Sequence, residues 1–216
     1  AAVAARISRL RPGVDVRVAF CEQSKPKLRD VLREVDSAPT VVTPFLLADA
    51  YHARVDIPAM IADSEAVQSN VLGEDDRLVA VLRRRVRELG VSRRDPDVGV
   101  LVVAVGSSRA AANARTAGVA RALAAGTRWA GAVTAFATGP SPTVDEAAEQ
   151  MYAAGARRLV IAPWFLAHGR ITDRVADFAA AQGIPMAEPL GTHRLVAATV
   201  LDRFDAARAV ANRIAA

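Results

Sequence analysis

Apolar and polar positions along this chain follow two periods, one suited to strands and one to helices, and they alternate through most of its length. Residues 1–10 carry apolar side chains at helical spacing and stop at Arg11-Pro12-Gly13, which predicts a first helix. Val14, Val16, Val18 and Phe20 alternate in strand fashion. Residues 26–35 read as an amphipathic helix with Leu28, Val31, Leu32 and Val35 on one stripe. Residues 40–47 read as a strand, 55–62 as a short helix, 67–72 as a weak strand and 74–89 as a strong helix with Asp75 and Asp76 in its first turn, where the macrodipole favours them. A polar linker at 91–97 contains Arg93-Arg94-Asp95-Pro96, and then the pattern restarts. Residues 98–105 are continuously apolar, as in a strand buried on both faces. Helices are expected at 108–125, 142–154, 171–181 and from His193 onward, with strands at 132–137, 158–165 and 184–187. Strands alternating with helices predict βαβ units and parallel sheets.

The second half repeats the first. Phe20 and Pro26 recur as Phe136 and Pro142, Pro44, Leu47 and Ala48 as Pro163, Leu166 and Ala167, and Leu72-Gly73 as Leu190-Gly191. Arg77-Leu78-Val79 then recurs as Arg194-Leu195-Val196. Identical residues at corresponding element ends predict duplicated α/β domains, at residues 1–92 and 97–216. The second half opens with the strand 98–105 and the turn Gly106-Ser107-Ser108, for which the first half has no counterpart. As the chain also starts at Ala1 without a methionine, an N-terminal strand and turn are expected to precede it.

Composition refines this picture. Of 216 residues, 52% are apolar, enough for a sizeable core, and only 5% are aromatic, so Ala, Val and Leu build most of it. A net charge of +5 suits an anionic partner. No nucleic-acid recognition motif accompanies that charge, and the basic run Arg83-Arg84-Arg85-Val86-Arg87 falls at a helix end, where it complements the dipole. One cysteine, Cys21, excludes an internal disulfide and fits a cytoplasmic setting. No apolar run is long enough to span a bilayer, and neither a GxGxxG nor a Walker pattern occurs.

Candidate chemistry concentrates after the strand at 40–47. Pro44-Phe45-Leu46 is followed by Tyr51-His52-Ala53-Arg54-Val55-Asp56-Ile57-Pro58, a loop with an aromatic ring, an imidazole, a guanidinium and a carboxylate. Ligands of open α/β sheets bind at loops of this kind, at the carboxyl ends of strands. Neutral imidazole is a good ligand for divalent first-row metals. Glu22 follows the strand that ends at Phe20 and should share the sheet edge with His52. Arg54 can meet a substrate carboxylate or pair with Asp56 or Asp49. Tyr51 can stack on a ligand or pack the loop, and Lys25 and Lys27 are weaker carboxylate contacts. His168 lies in the second-half counterpart of the loop, aligned with Asp49, while Ile171 aligns with His52. Ser107, in the turn that opens a helix, offers an anion site through backbone N–H groups. His193 reads as a cap or surface residue.

The loop from Pro44 to Pro58 resembles that of the sirohydrochlorin chelatases, and the resemblance extends over both halves. It implies two duplicated α/β domains, each a parallel four-stranded sheet flanked by helices. It also implies insertion of cobalt(II) or iron(II) into sirohydrochlorin, a step of cobalamin or siroheme biosynthesis that releases two protons and uses no nucleotide. It makes His52 a metal ligand and Glu22 a metal or proton-transfer residue, with Tyr51, Arg54, Ser107 and His168 as substrate contacts. A second metal-site histidine is implied in the turn expected before Ala1. Its second-half counterpart is Val105, which cannot bind a metal, so the site falls in the first half. The implied partner is a tetrapyrrole, with neither nucleic acid nor membrane, and the chain acts as a monomer or homodimer. A non-catalytic tetrapyrrole or metal carrier on the same fold is the alternative.

Overall fold

A computed structural model describes residues 1–22, 24–35 and 39–214. The chain forms two compact units. One comprises residues 1–73 with 192–216, the other residues 74–191. A single cut at 91–97 therefore does not separate them: the last helix of each sequence half packs in the unit built mainly from the other half.

The second unit is the more regular. Its three strands, β3 (Val98–Ala104), β4 (Gly131–Phe136) and β5 (Arg158–Pro163), form a parallel sheet in the order β4-β3-β5. Central β3 is buried along its whole length, as its unbroken apolar run requires. Gly99 in this strand is a packing necessity, because a Cβ there would lie 2.8–2.9 Å from Leu159, Ala156 and Met151 side chains. On one face Leu101, Val103, Ala135 and Ile161 meet Ala147 and Met151 of α6 (Val144–Ala153) and Val175 and Ala179 of α7 (Arg170–Ala181). Alternation along β3 sends Val100 and Val102 to the opposite face, which α5 (Ala110–Ala124) and α4 (Asp76–Glu88) cover. Leu78 and Leu82 of α4 are fully buried. Asp75 caps α4, its carboxylate accepting from the Arg77 N–H at 2.9 Å. Thr143 and Glu146 form a reciprocal capping box at the start of α6. The expected strand at 184–187 contributes one bridge, Ile161 to Met186, because Pro185 has no N–H to extend it.

The first unit holds α1 (Ala2–Leu10), α2 (Leu28–Glu34), α3 (Ile57–Ile61), α8 (Arg194–Ile214) and a parallel pair, β1 (Val41–Val42) with β2 (Val67–Gln68). The strand expected at 40–47 stops early, since Pro44 cannot donate to a ladder. The alternating segment 14–20 is no strand beyond one bridge, Phe20 to Lys27. Its counterpart β4 pairs with β3, and no described segment of this unit takes the place of β3. The sheets have two and three strands rather than the expected four each. Corresponding hydrogen bonds do recur: Phe20 N–H donates to the Pro26 carbonyl and Phe136 N–H to that of Pro142, each at 2.9 Å. Arg203 of α8 donates to the carbonyls of Val71 and Leu72 at 3.0 and 2.9 Å, and Arg85 of α4 donates to that of Pro189 at 3.0 Å.

The linker is held to the second unit. The Trp129 indole N–H donates to the Ser92 carbonyl at 2.9 Å, and Arg158 pairs with Asp95 at 2.5 Å.

Candidate metal centre

Three side chains of the first unit converge: Glu22, His52 and Asp56 bring ligand atoms within 4.8 Å of one another. Among the described residues they are the one group of three or more such side chains.

Backbone geometry explains the convergence. Phe20 N–H donates to the Pro26 carbonyl and Leu28 N–H to that of Phe20, both at 2.9 Å, which ties Phe20, two residues before Glu22, to the start of α2. After β1 the chain runs through a loop into a π-helical turn, His52–Asp56, that leads directly into α3. Such turns are rare and favour functional positions. The Ile57 N–H reaches the His52 carbonyl across the turn, and the Gln68 amide donates to the carbonyl of buried Ala53 at 2.7 Å. Residues i and i+4 of a helical turn share one face. Here they are His52 and Asp56, with Nδ1 and Oδ2 2.6 Å apart.

Sequence reasoning singled out His52 and Glu22, and the structure places both in this group. It treated Asp56 only as a partner for Arg54. The signal for Asp56 was the four-residue spacing from His52. Arg54 instead grips Asp49 through both nitrogens of its fork, with Nε to Oδ1 at 2.6 Å. That hydrogen bond, then the charge of Asp49, raises the guanidinium above its ordinary range. Tyr51 is exposed and meets His52 edge-on, ring centroids 6.4 Å apart. Cys21 is half-buried beside the group. Burial, then the charges of Asp56 and Glu22, pushes its thiol up, so it stays protonated. Lys25 and Lys27 are exposed in the same loop region.

The remaining candidates lie in the second unit. His168 Nε2 sits 2.9 Å from Glu188 in an exposed pair. Ser107 is tied to Asn113: its N–H donates to Asn113 Oδ1 at 2.9 Å and its carbonyl accepts from Nδ2 at 2.6 Å. Its Oγ accepts from the Arg109 N–H at 3.1 Å. Gly106, at φ +94°, lets this turn pass so close to Gly139 that a Cβ would sit 2.0 Å from the Gly139 carbonyl oxygen. His193 caps α8, its Nδ1 accepting from the Leu195 N–H at 3.2 Å. Partly buried Ile171 offers no donor where the first-half loop has its imidazole, and exposed Val105 offers none either.

Comparisons with known proteins identify relatives of this chain. The family model CbiX matches residues 1–89 and again 99–207. A sirohydrochlorin cobaltochelatase of Priestia megaterium is 27% identical over 174 residues, spanning 75% of this chain and 57% of that protein. This chain thus spans little more than half the length of that relative. A sirohydrochlorin ferrochelatase of the same organism is 26% identical, over 79% of this chain and 74% of its own. Among solved structures, SirB from Bacillus subtilis with Fe3+ superposes with a TM-score of 0.74 at 20% identity, covering 94% of this chain and 86% of its own. CbiX of denitrifying bacteria superposes at 0.69 with 23% identity, covering 95% and 89%. These likenesses establish the fold, and the two family-model matches span most of the sequence. The chain belongs to the CbiX family.

Proposed function

We propose that this chain inserts cobalt(II) or iron(II) into sirohydrochlorin. The observation that carries the reading is the approach of Glu22, His52 and Asp56 to within 4.8 Å in a member of the CbiX family. The metal is substrate here, held and then surrendered. A site with an imidazole and a carboxylate ligand suits a divalent first-row ion, since imidazole supplies a borderline donor and carboxylate a hard one. The macrocycle must lose two pyrrole protons as the metal enters, and Glu22, exposed beside His52, is the candidate acceptor.

The surroundings fit a flat, carboxylate-bearing partner. Phe20, Phe45, Tyr51 and Val55 are large apolar side chains left 41%, 42%, 57% and 42% exposed, on the same segments that carry the metal group. Exposed apolar side chains on these segments suit a ligand surface. Arg54 can serve a substrate carboxylate only by exchanging it for Asp49. We assign the reaction to the cytoplasm, without a nucleotide or nucleic acid.

His52→Ala tests the reading. We expect metal insertion, followed as the spectral conversion of free sirohydrochlorin to its cobalt or iron complex, to fall at least about 10-fold, because even partners behind a metal ligand are worth about 10–100-fold. Circular dichroism should be unchanged, as the side chain is half exposed and leaves no core cavity. A folded variant that inserts metal at the parent rate overturns the assignment.

A further inference from the structure

We propose that Asp56 is the positioning residue of this centre: its carboxylate accepts a hydrogen bond from the His52 Nδ1–H and so makes Nε2 the metal-binding nitrogen. The proposal rests on the reading of His52 as a ligand.

The geometry is specific. His52 Nδ1 and Asp56 Oδ2 are 2.6 Å apart, a short separation typical of a charge-assisted hydrogen bond. An ionised carboxylate only accepts, so Nδ1 must donate, and in a neutral imidazole the other nitrogen then keeps its lone pair. Metal-binding histidines commonly donate their second ring N–H to a carboxylate, which fixes the ring and raises its basicity. The side-chain exposures run the same way: Asp56 is 23% exposed and His52 52%, so the carboxylate is the inner member and the imidazole the outer one.

The turn that joins them is pinned. Ile57 N–H donates to the His52 carbonyl, Arg54 N–H to that of Ala50 at 3.0 Å, and the Gln68 amide to that of Ala53. The competing cation within reach in sequence, Arg54, is committed to Asp49. Asp56 is thus left to the imidazole rather than to a neighbouring guanidinium.

The tautomer can be read without metal. With three histidines in the chain, a ¹⁵N-histidine-labelled sample gives few ring signals, and His52→Ala assigns the relevant one. At mildly alkaline pH the parent chain should show Nδ1 protonated and Nε2 bare. Asp56→Ala should move the proton toward Nε2 and weaken Co2+ binding, titrated with Co2+ alone, by about 10–100-fold. Asp56→Asn, which keeps the volume, should give the same direction of change and guards against loss of fold. A parent His52 protonated on Nε2 overturns the proposal, as does Asp56→Ala binding Co2+ with parent affinity. An Asp56→Ala loss equal to that of His52→Ala, with the tautomer unchanged, also overturns it, because Asp56 would then be a ligand. Parent-level Co2+ affinity in His52→Ala strikes instead at the ligand reading itself, and the metal-free tautomer measurement tells the two failures apart.

Discussion

Arg54 and Asp56 lie two residues apart in one turn and choose different partners, and that choice shapes the candidate centre. A guanidinium fork matches a carboxylate in two parallel bonds, a geometry Asp49 offers. Asp56 then serves the imidazole, and Glu22 closes the group. Glu22→Gln keeps shape but removes charge, so Co2+ binding should weaken by roughly 10-fold or more with the fold intact. Isothermal titration with Co2+ checks this, and unchanged affinity would remove Glu22 from the site. His52 and Glu22 stood out in the sequence because each follows an apolar, strand-like stretch and carries donor chemistry. Asp56 was not, since sequence alone could not say which of two nearby carboxylates Arg54 would take. A second residue-scale expectation concerns Asp95. Its hydrogen bond to Arg158, then that from the Asp97 N–H, holds its carboxyl below the ordinary range. The stabilisation is therefore complete above the unfolded value and is lost as pH falls through the depressed folded one. An NMR titration of Asp95 should show a midpoint below that of a free carboxylate, returning upward in Arg158→Ala.

Helices were legible to within about two residues, as were β3, β4 and β5, whereas the strands of the first unit were not. A helix satisfies its own backbone, so an amphipathic stripe such as Leu78, Val79, Leu82 and Val86 suffices to form α4 once a sheet is there to cover. A strand needs a neighbour. Segment 14–20 has the alternation and lacks a ladder, while β3, between two partners, is buried from end to end. Proline explains the early stops at Pro44 and Pro163, which a hydropathy pattern does not register. The most constrained position in the sheet is Gly99. Gly99→Ala should destabilise the second unit by about 1–3 kcal/mol through overpacking against Leu159, Ala156 and Met151. Urea denaturation followed by the fluorescence of the two tryptophans, Trp129 and Trp164, both in that unit, would measure it.

On the scale of the whole molecule, the repeat visible in the sequence and the packing units do not coincide. Helix α4 belongs to the first repeat by sequence and to the second unit by contact, and α8 does the reverse. The pattern of apolar residues could not reveal this, because an amphipathic helix fits either of two similar sheets. A fragment of residues 74–191 should therefore fold cooperatively, while one of residues 97–216, which lacks α4, should expose the face that Leu78 and Leu82 cover and aggregate. Thermal melts of the two fragments decide the matter. Two-way exchange of helices also has a consequence for a severed chain. If a protease cut between Ser92 and Arg94, exposed residues of the linker, each fragment would still carry the helix that completes the other's fold. Breaking one peptide bond would then release neither piece, and two separately encoded halves, brought together in one cell, should reassemble as a split protein without any engineered tether.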